Sequence, residues 1–138
     1  MNRILRIAGP TAAVVIAAGL LSAPAASATG NEGPQCVNAL IASNGVNNSA
    51  ISADGAGNAS AAAADNGTTG TYLFNAELAC YYTPSYTAYQ DVLQAIGDNT
   101  NAESANQSGN TATATSDERA AGSLINTAMT IEMGYGYL

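Results

Sequence analysis

Apolar side chains occur in short groups along this chain, separated by long stretches of small polar residues. Two of the groups have spacings of three and four, which predict a short helix in each. The first contains Cys36, Val37, Leu40 and Ile41, and the second contains Tyr86, Tyr89, Val92, Leu93 and Ile96. Gly45 and Gly97 follow these groups, where a helix C-terminus favours a left-handed residue. Each half of the chain is therefore expected to open with a short helix.

The later part of each half favours strands. Small residues fill positions 47–65 and 99–117, and Thr111 to Thr115 alternates strictly between Thr and Ala, as in a strand. Two apolar segments close the halves, at residues 72–80 and 124–133, and alternate residues of each share one face if the segment is a strand. Such small side chains suit thin, closely stacked sheets, and the alternative is a disordered linker.

Comparison of the chain with itself indicates an internal duplication. A shift of 52 residues gives 11 identities over the 36 positions from Gly45 to Cys80, among them Asn47 with Asn99 and Gly70 with Gly122. A fixed period of this kind is typical of repeats. The two closing segments fall one residue out of phase with the shift if both are strands. Either an insertion separates them, or the strand interpretation is wrong.

The N-terminus has the pattern of a secretory signal peptide. Arg3 and Arg6 precede an apolar run at residues 12–21, and Ala26-Ser27-Ala28 matches the small-x-small cleavage pattern. The run is shorter than the roughly 20 residues of a membrane-spanning helix, so no stable span is expected after cleavage. Its alanine-rich style is typical of bacteria. These features predict a secreted protein, extracellular or at the cell surface.

These patterns combine into an α+β, mostly β, fold with a single disulfide and two duplicated halves, each a short helix followed by small-residue β segments. The predicted organisation is a signal peptide at 1–28, a short lead at 29–35, a first half at 36–80, a Tyr/Pro junction at 81–87, and a second half with a C-terminal tail at 88–138. Cys36 and Cys80 are the only cysteines, and in an exported chain they predict a disulfide. The bridge would close the first half alone.

Charge and composition exclude several classes of function. The chain lacks His and Lys, and after the signal peptide a single cation, Arg119, stands against ten carboxylates. Nucleic-acid binding needs a cluster of cations, which this chain lacks, and the absence of His excludes His-dependent triads and His-ligated metal sites. Carboxylate pairs suited to glycoside hydrolysis exist among Asp91, Asp98 and Glu103, and at Asp117-Glu118. We interpret the neighbouring pair Asp117-Glu118 as a solvated turn and predict no enzymatic activity.

Calcium is the cofactor best suited to the oxygen-rich side chains. Two groups were considered as ligands: Asp54 with Asn58, and the cluster Asp98, Asn99, Asn101 and Glu103. Neither has the ligand spacing of an EF-hand loop. We interpret both as polar turns and predict no metal and no cofactor.

Tyrosine is the one abundant aromatic residue, and four tyrosines surround the junction: Tyr81, Tyr82, Tyr86 and Tyr89. They are either packed or exposed as a binding surface, because Tyr gives large amphipathic contacts at low entropic cost. We predict a small secreted structural or interaction protein of the cell surface or extracellular matrix, whose partners are other copies of itself or other surface proteins. The alternatives are a monomeric binding module for a small ligand or a protein, and a pore-forming exported protein.

Overall fold

Four long α-helices make up nearly all of the computed structural model, which describes residues 30–137. They are α1 (Glu32–Gly55), α2 (Ala59–Cys80), α3 (Tyr86–Gln107) and α4 (Thr111–Gly134). No strand occurs between residues 30 and 137. The predicted α+β, mostly β, class is therefore wrong, and the fold is an all-α bundle.

The helices pack side by side as a square. Each packs against the next along the chain, and α1 also packs against α4. Short connections make sequential helices antiparallel, so the bundle runs up-down-up-down. The turns at residues 55–58 and 107–110 lie together at one end, which we call the turn end. The Cys36–Cys80 disulfide and the junction lie at the opposite end, which we call the bridged end.

The core positions follow a heptad pattern in every helix. Six buried residues in each helix are spaced alternately by four and three, which keeps them on the face toward the partner helices. They are Cys36, Leu40, Ser43, Asn47, Ala50 and Asp54 in α1; Ala62, Asn66, Thr69, Leu73, Ala76 and Cys80 in α2; Ala88, Val92, Ala95, Asn99, Ala102 and Asn106 in α3; and Ala114, Glu118, Ala121, Ile125, Ala128 and Glu132 in α4. Many of them are small or polar, so a search for apolar residues alone misses the pattern.

The segments predicted as β structure form helices because of their small residues. Alanine is the strongest helix former, and small side chains let neighbouring helices approach closely. The alternating Thr111–Thr115 run is the start of α4, with Ala114 buried. Because these segments are helical, the prediction of thin, stacked strands at residues 47–65 and 99–117 is wrong. The alternative prediction, a disordered linker in the same two segments, is also wrong, because both segments are ordered helix apart from the short turns.

The two hairpin turns have the same geometry at positions 52 residues apart. Gly57 and Gly109 adopt φ values of 74° and 77°, in the left-handed region that favours glycine. The side chains of Asn58 and Asn110 then cap α2 and α4, each accepting a hydrogen bond of 3.2 Å from the backbone N–H three residues later. The sequence matches at these positions therefore correspond to one turn design used twice.

Large apolar side chains lie in the bridged half of the core. Leu40, Leu73, Val92 and Ile125 are fully buried, one from each helix. Leu73 and Ile125 are 52 residues apart, so the closing segments are in phase. Of the two explanations for the mismatch, the strand interpretation was the error.

The predicted disulfide is confirmed. Cys36 near the start of α1 is bonded to Cys80 at the end of α2, with 4.9 Å between their Cα atoms. The 52-residue shift places Ala88 and Glu132 at the corresponding positions, so the second hairpin has no bridge there. No helix within residues 30–137 is long and apolar enough to span a membrane. The predicted signal peptide lies outside the described residues.

Candidate functional site

Four tyrosines form one aromatic surface at the bridged end, which we call the tyrosine patch: Tyr81, Tyr82, Tyr86 and Tyr89. The ring of Tyr81 meets those of Tyr82 and Tyr89 edge to face, with centroid separations of 5.0 and 5.4 Å, and Tyr86 lies 6.4 Å from Tyr89. Tyr81 and Tyr86 are 62% and 73% exposed. The structure therefore brings together all four tyrosines singled out from the sequence, and leaves large ring areas open to solvent.

Local helix ends hold the patch in place. Tyr81 and Tyr82 follow the last residue of α2, which the disulfide ties to α1. Ser85 begins α3 by accepting a hydrogen bond of 3.1 Å from the Ala88 N–H, which fixes the first turn carrying Tyr86 and Tyr89. The rings thus project from two anchored helix ends, which limits the entropy lost when they bind a partner.

A carboxylate accompanies the patch. Partial burial, and then the nearby Glu77 carboxylate, raise the pKa of Tyr89, with smaller contributions from Tyr81 and Tyr86. Burial also raises the pKa of Glu77. Aromatic faces beside a carboxylate form an electron-rich surface suited to cations.

A second feature, a polar core, fills the turn half of the bundle. Four of its buried polar side chains, one from each helix, form a group that we call the polar layer: Asp54 from α1, Asn66 from α2, Asn106 from α3 and Glu118 from α4. Asp54 is 5% exposed and the other three are at most 3% exposed. The sequence pattern pointed to Asp54 but not to the other members of the layer, because the four residues are far apart in the chain.

Hydrogen bonds connect the polar layer around Glu118. Its Oε1 atom accepts from the Nδ2 groups of Asn66 at 2.8 Å and Asn106 at 3.2 Å. Burial raises the pKa of Glu118 and the adjacent Asp54 carboxyl raises it further, while the two amide donors oppose the shift. Two carboxyl groups therefore sit in one buried site with amides around them.

Two further asparagine side chains hold the backbone of two layer residues in place. Asn47 Nδ2 donates to the Glu118 carbonyl oxygen at 2.9 Å, and Asn99 Nδ2 donates to the Asn66 carbonyl oxygen at 3.0 Å. Glycines face both amides: a Cβ at Gly122 would lie 2.9 Å from Asn47 Nδ2, and one at Gly70 would lie 3.3 Å from Asn99 Nδ2. Mid-helix glycine is unfavourable by about 1 kcal/mol, and here it makes room for these bonds. In the sequence, this arrangement is marked by the matches of Asn47 with Asn99 and of Gly70 with Gly122 at the 52-residue shift.

The residues of each candidate calcium group have different positions and roles in the structure. Asp54 belongs to the polar layer, whereas Asn58 caps α2 at the exposed turn. Asn99 is buried, while Asp98 and Glu103 are half-buried and Asn101 is exposed. Between residues 30 and 137 no group of three or more His, Cys, Asp and Glu side chains is placed to hold a metal. The polar layer contains two carboxyls and relies on amides for its remaining oxygens.

Comparisons of the chain with protein-family models, with curated proteins and with solved structures find no match. The chain's own residues therefore carry the functional inference. Among concave surfaces, an open groove of about 420 Å³ runs beside Gly67, Thr71, Tyr72 and Glu103. It is shallow and exposed, in contrast to the enclosing pockets that hold small ligands.

Glu132 is a further buried carboxyl, at the bridged end. It is fully buried, its Oε1 lies 2.7 Å from the Thr83 hydroxyl oxygen, and its Oε2 has no hydrogen-bond partner. Burial raises the pKa of Glu132, and the Thr83 hydrogen bond opposes the shift. The folded state therefore favours the protonated form of this side chain.

We expect the protein to be more stable at pH 5 than at pH 8. For Glu132 the folded pKa lies above the ordinary value of 4.5, so its contribution is fully present below pH 4.5 and is lost as the pH rises through the folded pKa. The unfolding midpoint, followed by circular dichroism from pH 4.5 to 8, should fall with rising pH. Glu132→Gln should raise the midpoint at pH 8 and flatten the profile, whereas Asp65→Asn, the same charge change at a half-buried site, should leave the slope intact. A Glu132→Gln profile parallel to that of the parent would contradict this expectation.

Proposed function

We propose that this chain is a secreted, disulfide-stabilised interaction module that binds a basic protein segment through the tyrosine patch. The observation that carries the proposal is the contact among four tyrosine rings, three of them exposed, at one anchored end of the bundle. Tyrosine is enriched in binding surfaces because it combines a large ring with a polar hydroxyl. No catalytic step is part of this proposal.

Charge favours a basic partner over a second copy of the chain. After the predicted cleavage site the chain carries ten carboxylates and one arginine, so two copies repel each other. A lysine- or arginine-rich segment is attracted by the same field and reaches the patch faster. At the patch its side chains can lie over tyrosine faces, beside the Glu77 carboxylate.

Secretion is part of the proposal and rests on two features. The N-terminal pattern of Arg3, Arg6 and an apolar run is that of a signal peptide. The disulfide between Cys36 and Cys80 is compatible with an oxidising compartment. A partner outside the cell, or at its surface, is therefore the one to seek.

Binding to a fluorescent octa-arginine peptide tests the proposal. We expect the oxidised chain from Thr29 onward to bind this peptide, and an octa-glutamate peptide to show no binding by fluorescence anisotropy. Tyr81→Ala with Tyr86→Ala should weaken binding about tenfold, the loss of two exposed cation–π contacts. Phenylalanine at both positions should restore most of the affinity, because the ring faces remain.

A matched control separates the patch from general attraction between opposite charges. Tyr135→Ala removes an exposed ring that contacts Tyr137 and lies outside the patch, so its affinity should equal that of the parent. If the double alanine variant binds octa-arginine as well as the parent does, the acidic surface alone is responsible, and the patch is not the binding site.

A further inference from the structure

We propose that the polar layer binds one hard divalent cation, with Ca²⁺ the best fit, between the carboxyl groups of Asp54 and Glu118 and the amide oxygens of Asn66 and Asn106. These four side chains come one from each helix and lie together in the core. The site is independent of the tyrosine patch, which lies at the opposite end of the bundle.

Unpaired oxygens are the first observation. Five buried oxygens of the layer accept no hydrogen bond from an amide, a hydroxyl or a backbone N–H: both carboxyl oxygens of Asp54, Oε2 of Glu118, and Oδ1 of Asn66 and Asn106. Every buried side-chain atom of the layer without a partner is an oxygen, since the amide nitrogens all donate. Buried polar groups without a partner are costly, so an electron-poor species facing these oxygens would stabilise the layer.

Charge is the second observation. Arg119 is the only cationic side chain between residues 30 and 137, and it is exposed. Asp54 lies in the last turn of α1, where the helix dipole disfavours a negative charge, and no basic residue accompanies it there. Two carboxyl groups in one buried site can both be ionised only at a high cost unless a cation compensates them. One divalent cation would neutralise both.

The donor set selects the class of cation. Ca²⁺ takes six to eight oxygen ligands from carboxylates, amide carbonyls and water, in flexible geometry. Five protein oxygens, two of them from a bidentate Asp54, leave one to three places for water. His and Cys are absent from the layer, which disfavours soft transition metals. Mg²⁺ requires tighter octahedral geometry and prefers to keep its own water.

The position of the layer gives a cation access from solvent. Asp54 and Asn106 lie one residue before the ends of α1 and α3, next to the exposed turns. Meanwhile Asn47 and Asn99, one heptad deeper, hold the backbone of α4 and α2 by their amides. The layer is therefore fixed on its inner side and close to solvent on its outer side.

Calcium titration of the oxidised, chelator-treated chain tests the site. Isothermal calorimetry with CaCl₂ should give one ion per chain. The unfolding midpoint should rise by about 10 °C when Ca²⁺ exceeds its dissociation constant 100-fold. Asp54→Asn and Glu118→Gln should each weaken Ca²⁺ binding at least tenfold, while raising the midpoint in the absence of calcium because each replaces one of two adjacent buried carboxyls with a neutral amide.

Asp117→Asn is the matched control. It removes one carboxylate from the same helix at a half-buried position beside Glu118, and it should leave calcium binding unchanged. A parent midpoint that does not respond to CaCl₂ up to about 10 mM, the weak end of extracellular calcium sites, would overturn the proposal in favour of a proton and waters in the layer. Calcium binding that persists in both Asp54→Asn and Glu118→Gln would overturn it in favour of surface carboxylates.

Discussion

Removing the Cys36–Cys80 bridge is expected to lower the stability of all four helices together, by about 4 kcal/mol for the 44-residue separation. From the sequence, the loss is expected to be much larger in the first half, residues 36–80, than in the second half. The structure changes this expectation, because one core contains residues from both hairpins and α1 packs against α4. If the α1–α2 hairpin is weakened, α3 and α4 therefore lose packing contacts as well.

The double variant Cys36→Ser, Cys80→Ser measures this effect without free thiols. Chemical denaturation followed by circular dichroism should show one transition at much lower denaturant, with a slope at least as steep as that of the parent, because the unfolded chain without the bridge is less compact. The parent chain treated with reductant should behave in the same way. Two separate transitions would mean that the hairpins unfold independently, against the shared core.

Leu73→Ala and Ile125→Ala should each destabilise the bundle by about 2–5 kcal/mol. Both side chains are fully buried in the core, at positions 52 residues apart in α2 and α4. Each truncation removes apolar burial and leaves a cavity that the surrounding helices fill only in part. Denaturant midpoints of the two variants, compared with that of the parent, give the loss directly.

Ile41→Ala is the control for these truncations, because Ile41 is 46% exposed and should contribute much less. Similar losses at Leu73 and Ile125 are expected if the two hairpins contribute equally to one core. A loss at Leu73 several times that at Ile125 would show instead that the bridged hairpin carries most of the stability.

Part of the fold was accessible from apolar periodicity. The spacing of residues 36–41 and 86–96 predicted helices, and both segments are helical. The remaining segments were misjudged because their core positions hold Ala, Ser, Thr and Asn. These residues carry no apolar signal, although alanine favours helix strongly. The alternation from Thr111 to Thr115 predicts a strand, but these residues form the start of α4.

The functional features divide in a similar way. The tyrosine cluster was visible in the sequence because its members lie within nine residues of one another. The polar layer was not, because Asp54 and Glu118 are 64 positions apart and meet only when α1 packs against α4. The identities of Asn47 with Asn99 and Gly70 with Gly122 pointed toward it, but pairing of the hairpins was needed to explain them.

Several features can be read from the amino-acid sequence before any packing is known: the cysteine pair, the excess of acidic residues, the lack of His and Lys, and the matches at a 52-residue shift. These follow from local composition and spacing, which do not depend on how the chain folds. The helical state of the small-residue segments and the burial of Asp54, Glu118 and Glu132 depend on how the four helices pack together. The reason is physical: small and polar side chains acquire a core position only from the helices that close around them.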